Sequence, residues 1–237
     1  MKKILIIFMF LFLLTGCGNN SNELVMVTEA GFAPYEYYED GKIVGVDVDI
    51  ANEIAKKMGK KLVIKDVAFD SIINEVKSNK SDFGAAGISY SEEREKEVDF
   101  SINYTTSKQV VVIKKDSGIT VDNLDGKKIA VQLGSIGDGY VTSNYKNSEI
   151  VRQKKYLQAI EDLKSDKVDC VVMDELPALE FVKVNDNLMV LDKELTSDSY
   201  GMIVKKGNTE LLNKINEVLK ELKDNGKIDE FIINHTK

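Results

Sequence analysis

The chain has 237 residues with 39 acidic against 32 basic side chains, a formal net charge of −7. That balance argues against a nucleic-acid partner, which calls for a basic stripe. Its length suffices for two small lobes or one large domain, and with only two prolines and two cysteines it is neither a disordered chain nor a disulfide scaffold.

Met1-Lys2-Lys3 precedes an apolar run from Ile4 to Leu14. A helix that crosses a bilayer needs about 20 residues, so this shorter run reads as a secretory signal peptide, residues 1–16. Leu14-Thr15-Gly16-Cys17 resembles the lipobox cleaved before a lipid-modified cysteine. The expected product is anchored to the cell membrane through lipidated Cys17, with residues 17–22 as a polar, flexible leash. Cys170 then has no disulfide partner; it lies in the apolar run Asp169–Met173 and reads as a small buried hydrophobe.

Leu24–Thr28 is β-prone and predicts the first strand, which empties into the Gly/Pro-punctuated loop Glu29–Tyr37 with its aromatics. In open α/β sheets, ligands sit in loops at strand C-termini. After a turn at Glu39–Lys42 comes Gly45-Val46-Asp47-Val48-Asp49, then a helix with Ile50, Ile54, Ala55 and Met58 on one face, stopped by Gly59. Asp47 and Asp49 invite a metal reading, but hard cations want six or more oxygens and no further carboxylates converge locally.

Phe69–Gly84 aligns without a gap on Tyr156–Val171, at a constant offset of 87. Each copy is an amphipathic helix ending in Lys-Ser-(Asn/Asp)-Lys-x-Asp and running into an apolar strand, which points to two lobes built alike. Between the copies, Gly84–Ser101 passes from a small-residue strand through Gly87-Ile88-Ser89 into Ser91-Glu92-Glu93-Arg94, a helix N-cap and first turn. Only Arg94 and Arg152 among the basic residues are arginine. An arginine at this turn supplies the planar fork that grips a carboxylate with two parallel hydrogen bonds. Carried by the same offset, Gly87 corresponds to Asp174. Arg94 and Asp174 match the carboxylate and the ammonium of one amino acid, although Asp174 also fits as a helix cap before Pro177.

Gln109–Ile113 reads as a buried strand and Lys114–Gly118 as the first hinge crossing. Gln132–Gly139 is a Gly-rich strand-to-helix junction suited to an anion, with neither a dinucleotide nor a Walker pattern. Ser199–Val204 would be the return crossing, followed by helices from about Glu210 to Leu222 and on to Phe231. No Cys/His pair, Gly-x-Ser-x-Gly elbow or metal-ligand spacing is present, so an enzyme is not expected.

The turn at Gly84–Ser101 and the Gly-x-Asp-x-Asp block resemble the family 3 extracellular solute-binding proteins, the polar amino-acid receptors of ABC importers. The similarity extends over essentially the whole mature chain. Val46 departs from the usual aromatic or larger aliphatic residue, and Ile136 from the small or hydroxyl residues often found there. The resemblance implies an α/β, two-lobed periplasmic-binding-protein-like fold of type II. It has mostly parallel sheets flanked by helices and two hinge strands, with lobe 1 at 23–113 plus 204–237 and lobe 2 at 114–203. It implies a structural role for Asp47 and Asp49. It also implies a ligand carboxylate held by Arg94, Ser89, Ser135 and the backbone of Gly87 and Gly134, beside Ala86. Asp174 would take the ammonium, Phe32 and Phe69 would pack on the side chain, and Glu29 and Gln132 would face its polar end. The partners implied are glutamine, arginine, lysine, histidine or cystine, an ABC permease and the lipid anchor. No cofactor, metal or nucleic acid is implied, and the protein is expected to be a monomer. A sensor domain or a dehydratase-type enzyme on the same fold remains the alternative.

Overall fold

The computed structural model describes residues 22–236. The expected signal peptide, Cys17 and most of the leash lie outside the described residues.

The first lobe opens with β1 (Glu23–Thr28), whose Leu24, Met26 and Val27 are buried. A loop leads to the hairpin β2 (Tyr37–Glu39) and β3 (Lys42–Val44). Next is α1 (Val46–Lys57), burying Ile50, Ala51, Ile54 and Ala55. Its N-cap, Gly45, has φ 132°, and a Cβ there would lie 2.1 Å from the Tyr35 carbonyl oxygen, so only glycine lets the helix start this close to the loop. The chain continues through β4 (Lys61–Asp66), a 3₁₀ turn at Phe69–Ser71, α2 (Ile72–Lys77), β5 (Phe83–Gly84), α3 (Glu92–Glu95) and β6 (Val98–Phe100).

The second lobe holds β7 (Thr105–Lys114), β8 (Lys128–Gln132), α4 (Ile136–Asn144), β9 (Glu149–Gln153) and α5 (Tyr156–Lys164). It is completed by β10 (Cys170–Asp174), α6 (Glu175–Lys183), β11 (Leu188–Val190) and β12 (Thr196–Tyr200). The chain returns as β13 (Ile203–Lys205) and ends in α7 (Thr209–Asp224) and α8 (Lys227–His235). Leu211, Ile215, Val218, Leu219 and Leu222 fall on one face of α7 and are buried against the first lobe, where α7 packs on α1 and α8.

Each lobe is built on one sheet with a parallel centre and antiparallel additions. The first runs β4-β1-β5-β13-β6, with β4, β1 and β5 parallel. The second runs β11-β7-β10-β8-β9, with β12 paired to β7, and β10, β8 and β9 parallel. The strand expected to close the first lobe at 113 belongs wholly to the second sheet. Residues 105–114 form one continuous strand hydrogen-bonded to β10, β11 and β12, which puts Lys114–Gly118 at its far end, away from any crossing. The lobes are joined instead at Ser101–Tyr104 and Gly201–Met202. Ser101 N–H donates to Met202 O at 2.8 Å across the two segments, and Tyr104 N–H donates to Tyr200 O at 3.0 Å, at the end of β12.

The two copies of the repeated segment share the turn between helix and strand, although the first opens as a 3₁₀ turn where the second is already α-helical. Asn79 and Asp166 are both left-handed, with φ 56° and 58°. Just beyond them, Asp82 accepts from Val25 N–H and Asp169 from Lys128 N–H, both at 2.7 Å. Each aspartate thereby ties its strand to the start of the neighbouring parallel strand in its own lobe.

Cys170 is fully buried on β10, and burial pushes its thiol up to about 12. The single histidine is structural: His235 bridges Asp49 at 2.9 Å and Tyr37 Oη at 3.0 Å.

Candidate functional site

The carboxyl ends of β1 and β5 in one sheet face those of β8 and β10 in the other, and the sequence places its polar residues there. Between them is a small cavity. Its first-lobe wall includes Glu29, Phe32, Phe69, Ala86, Gly87, Ser89 and Arg94, and its second-lobe wall Gln132, Ser135 and Asp174. Of the residues expected in the site, only Gly134 stands outside it.

Arg94 is held by α3, whose N-cap Ser91 accepts from the Arg94 N–H at 3.2 Å. The side chain is 9% exposed, so it is no surface arginine. One terminal nitrogen donates to Ser89 O at 2.6 Å, and the other crosses to the second lobe and donates to Gly134 O at 2.8 Å. The guanidinium carbon lies 5.5 Å from the centre of the Phe69 ring. Burial lowers its proton affinity, and Asp198 and Asp174 oppose that; an arginine keeps its charge regardless.

Asp174 ends β10 and starts α6 but caps nothing with its side chain. Its Oδ1 accepts from Tyr200 Oη at 2.6 Å, Gln109 Nε2 at 2.8 Å and Ser107 Oγ at 3.0 Å. Burial, and then the nearby Asp198, push its carboxyl up to about 6. Asp198 accepts from Ser89 Oγ across the lobes at 2.8 Å, and burial raises it too. Gln109 donates to both aspartates.

At the cavity's other wall, Glu29 is 1% exposed and raised by burial, with Lys155 and Gln132 opposing. Gln132 Nε2 reaches Glu29 Oε2 at 3.1 Å, and Lys155 Nζ lies 3.0 Å from Glu29 Oε1. Phe32 is sandwiched between Tyr35 and Tyr156, each 5.8 Å away. Gly87 has φ 51°, and a Cβ there would come within 2.6 Å of Phe32 Cε1.

Two expected backbone donors are already committed. The Gly87 N–H donates to Asp47 Oδ2 at 2.9 Å and the Gly134 N–H to Asp138 Oδ2 at 3.1 Å. Neither amide is therefore left for a ligand carboxylate, and the Gly134 carbonyl serves Arg94 instead. Asp138 is fixed in turn by Arg152, whose Nε lies 2.9 Å from Oδ1, so the second arginine holds the Gly134 turn. Asp47 and Asp49 go separate ways, Asp47 also accepting from Tyr104 Oη at 2.7 Å. Among the described residues no group of His, Cys, Asp and Glu is arranged to hold a metal ion.

Sequence reasoning missed Glu36, Tyr156, Asp198 and Lys155, and carried no contact to Ile136, which lines the cavity. Tyr156 had a signal: it is the repeat's counterpart of Phe69, and both line the cavity. Glu36 is fully buried, neither oxygen has a donor, and burial with Asp47 nearby raises its carboxyl well above the usual range.

A family model for the bacterial extracellular solute-binding proteins of family 3 matches residues 24–235. The arginine-binding extracellular protein ArtP of Bacillus subtilis is 34% identical over 92% of this chain and 90% of its own length. The amino-acid-binding protein AbpA of Streptococcus pneumoniae, solved bound to L-arginine, superposes with TM-score 0.87 at 35% identity, over 91% of this chain and 94% of that one. An ancestral arginine-binding protein solved with glutamine gives TM-score 0.85 at 38% identity, over 90% and 97%.

Proposed function

This chain belongs to family 3 of the bacterial extracellular solute-binding proteins, and we propose that it captures one polar L-amino acid between its lobes and delivers it to an ABC permease. The observation that carries this reading is the placement of Arg94 and Asp174 on opposite lobes around one cavity. The ligand carboxylate takes donors of Arg94 with the hydroxyl of Ser135, on the wall where Ser89 stands with its own hydroxyl given to Asp198. Asp174, aided by Asp198, takes the ammonium. Phe32, Phe69 and Tyr156 enclose the aliphatic part, and Glu29 with Gln132 meets a polar tip. Relatives named for arginine, histidine, cystine and glutamine support this class of ligand.

The lobes swing about Ser101–Tyr104 and Gly201–Met202, a hinge-type transition. The permease reads the closed form, because only that shape reports a bound ligand. The protein binds without turnover, as a monomer tethered through lipidated Cys17. A thermal-shift screen against the common amino acids and cystine, on protein unfolded and refolded to strip carried ligand, tests the reading. A shift of several degrees with one or two polar amino acids is expected; none with any of them overturns it.

A further inference from the structure

Lys155 occupies the N-cap of α5 and makes no capping hydrogen bond. Serine, threonine, aspartate and asparagine are preferred there, and a cation at a helix N-terminus meets the positive end of the helix dipole. The residue is unfavourable where it stands, so its use lies elsewhere. Its side chain leaves the helix and crosses the cleft, putting Nζ 3.0 Å from Glu29 Oε1 and 3.5 Å from Asp66 Oδ2. Asp66 is itself fixed by the Ala30 N–H at 2.9 Å and Tyr38 Oη at 3.2 Å. Glu29 is the buried carboxylate at the polar wall of the cavity, and its other oxygen accepts from Gln132.

We propose that Lys155 is a specificity-determining residue. By supplying the counter-charge to Glu29, it weakens the cavity's preference for a cationic ligand side chain over an uncharged one with amide donors. This rests on the amino-acid reading above. A guanidinium or ammonium at Glu29 must sit beside the Lys155 ammonium or displace it toward Asp66, whereas a carboxamide can donate to Glu29 with that ion pair intact. Like charges brought together in a partly buried site carry a substantial penalty.

Calorimetric titration of L-arginine and L-glutamine into wild type, Lys155→Met and Lys155→Arg tests this. Lys155→Met is expected to shift the ratio of the two dissociation constants toward arginine by about tenfold or more, and Lys155→Arg to leave it within about threefold. Lys155→Ser, which offers α5 a capping hydroxyl, is the second variant should the methionine protein fold poorly, and it should show the same shift. A ratio that stays within about threefold in the uncharged variants, or moves toward glutamine, overturns the proposal while leaving the amino-acid reading intact. Failure of every protein to bind either amino acid overturns the proposal, and the amino-acid reading falls with it only if the wider thermal-shift screen is also blank.

Discussion

Arg94→Ala should be the most damaging single change to binding. In the closed arrangement the guanidinium is 9% exposed and ties Ser89 O in its own lobe to Gly134 O in the other. Its remaining donors are those proposed to take the ligand carboxylate. Alanine leaves that carboxylate buried without a counter-cation, and breaking a buried pair from one side costs about 3–5 kcal/mol. The Gly134 carbonyl also loses its donor, which adds about 1 kcal/mol against closure. Water entering the vacated space returns part of this, so about 3 kcal/mol is the expected net loss, close to 150-fold in Kd. Arg94→Lys keeps the charge without the planar fork and should fall between. The assay is calorimetric titration with the amino acid giving the largest thermal shift, and the unliganded Tm controls for folding. An alanine variant of near-native Tm that binds within about threefold of wild type refutes the assigned role.

Acidification should act on stability and on binding with opposite signs. Asp174 and Asp47 each rise from 3.8 to about 6 on folding, so the folded state holds their protons more tightly. Their contribution to stability is complete below about pH 4 and is lost as the pH rises through 6, on the order of 2–3 kcal/mol per group. Unliganded protein should therefore gain Tm between pH 7 and 5. Affinity should fall over the same interval, toward tenfold per pH unit below about 6, because the ligand ammonium needs Asp174 ionised; titrations at both ends check this. Gly87→Ala forces a left-handed residue and pushes on Phe32; a stability loss of about 1–2 kcal/mol and a Kd weakened at least tenfold are expected in melting and titration experiments. Arg152→Ala frees Asp138 and the Gly134 turn; a loss of affinity of about three- to tenfold is expected, with stability held within about 1 kcal/mol because Arg152 is partly exposed.

Most of this architecture was legible because it is local. The repeat at offset 87 was readable as pattern, and it marks equivalent backbone: the left-handed Asn79 and Asp166, and the strand-tying Asp82 and Asp169. It also carried Gly87 to Asp174, and so placed one residue of the site from the position of another. What was not legible depends on pairing across the chain. Whether Gln109–Ile113 belongs to the first or the second lobe is decided by its partners β10, β11 and β12, which lie some 60–90 residues away, and an apolar run says nothing about which sheet it joins. Asp198 lies in Thr-Ser-Asp-Ser-Tyr, a polar run with no sign of burial, and reaches the site only because β12 pairs with β7 beside the crossing. The commitment of the Gly87 and Gly134 amides to Asp47 and Asp138 was equally invisible, since each bond depends on a loop's final conformation.

Those buried acids bear on why closure should depend on ligand. Asp174 and Asp198 share Gln109, Asp198 raises Asp174, burial raises both, and Glu36 is fully buried without a donor beside Asp47. Arg94 is the one buried cation among the described residues, and on the proposed reading the ligand carboxylate takes up its charge. Closing the empty cleft thus concentrates acid around too little positive charge, which raises carboxyl pKa values rather than forming ion pairs. On the same proposed reading, a zwitterionic amino acid corrects this locally, with its ammonium at Asp174 and its carboxylate at Arg94, and does so only when both lobes are close enough to touch it. The difference in free energy between closing empty and closing occupied is what a population shift requires. It comes from the same two residues, on opposite lobes, that define the ligand class.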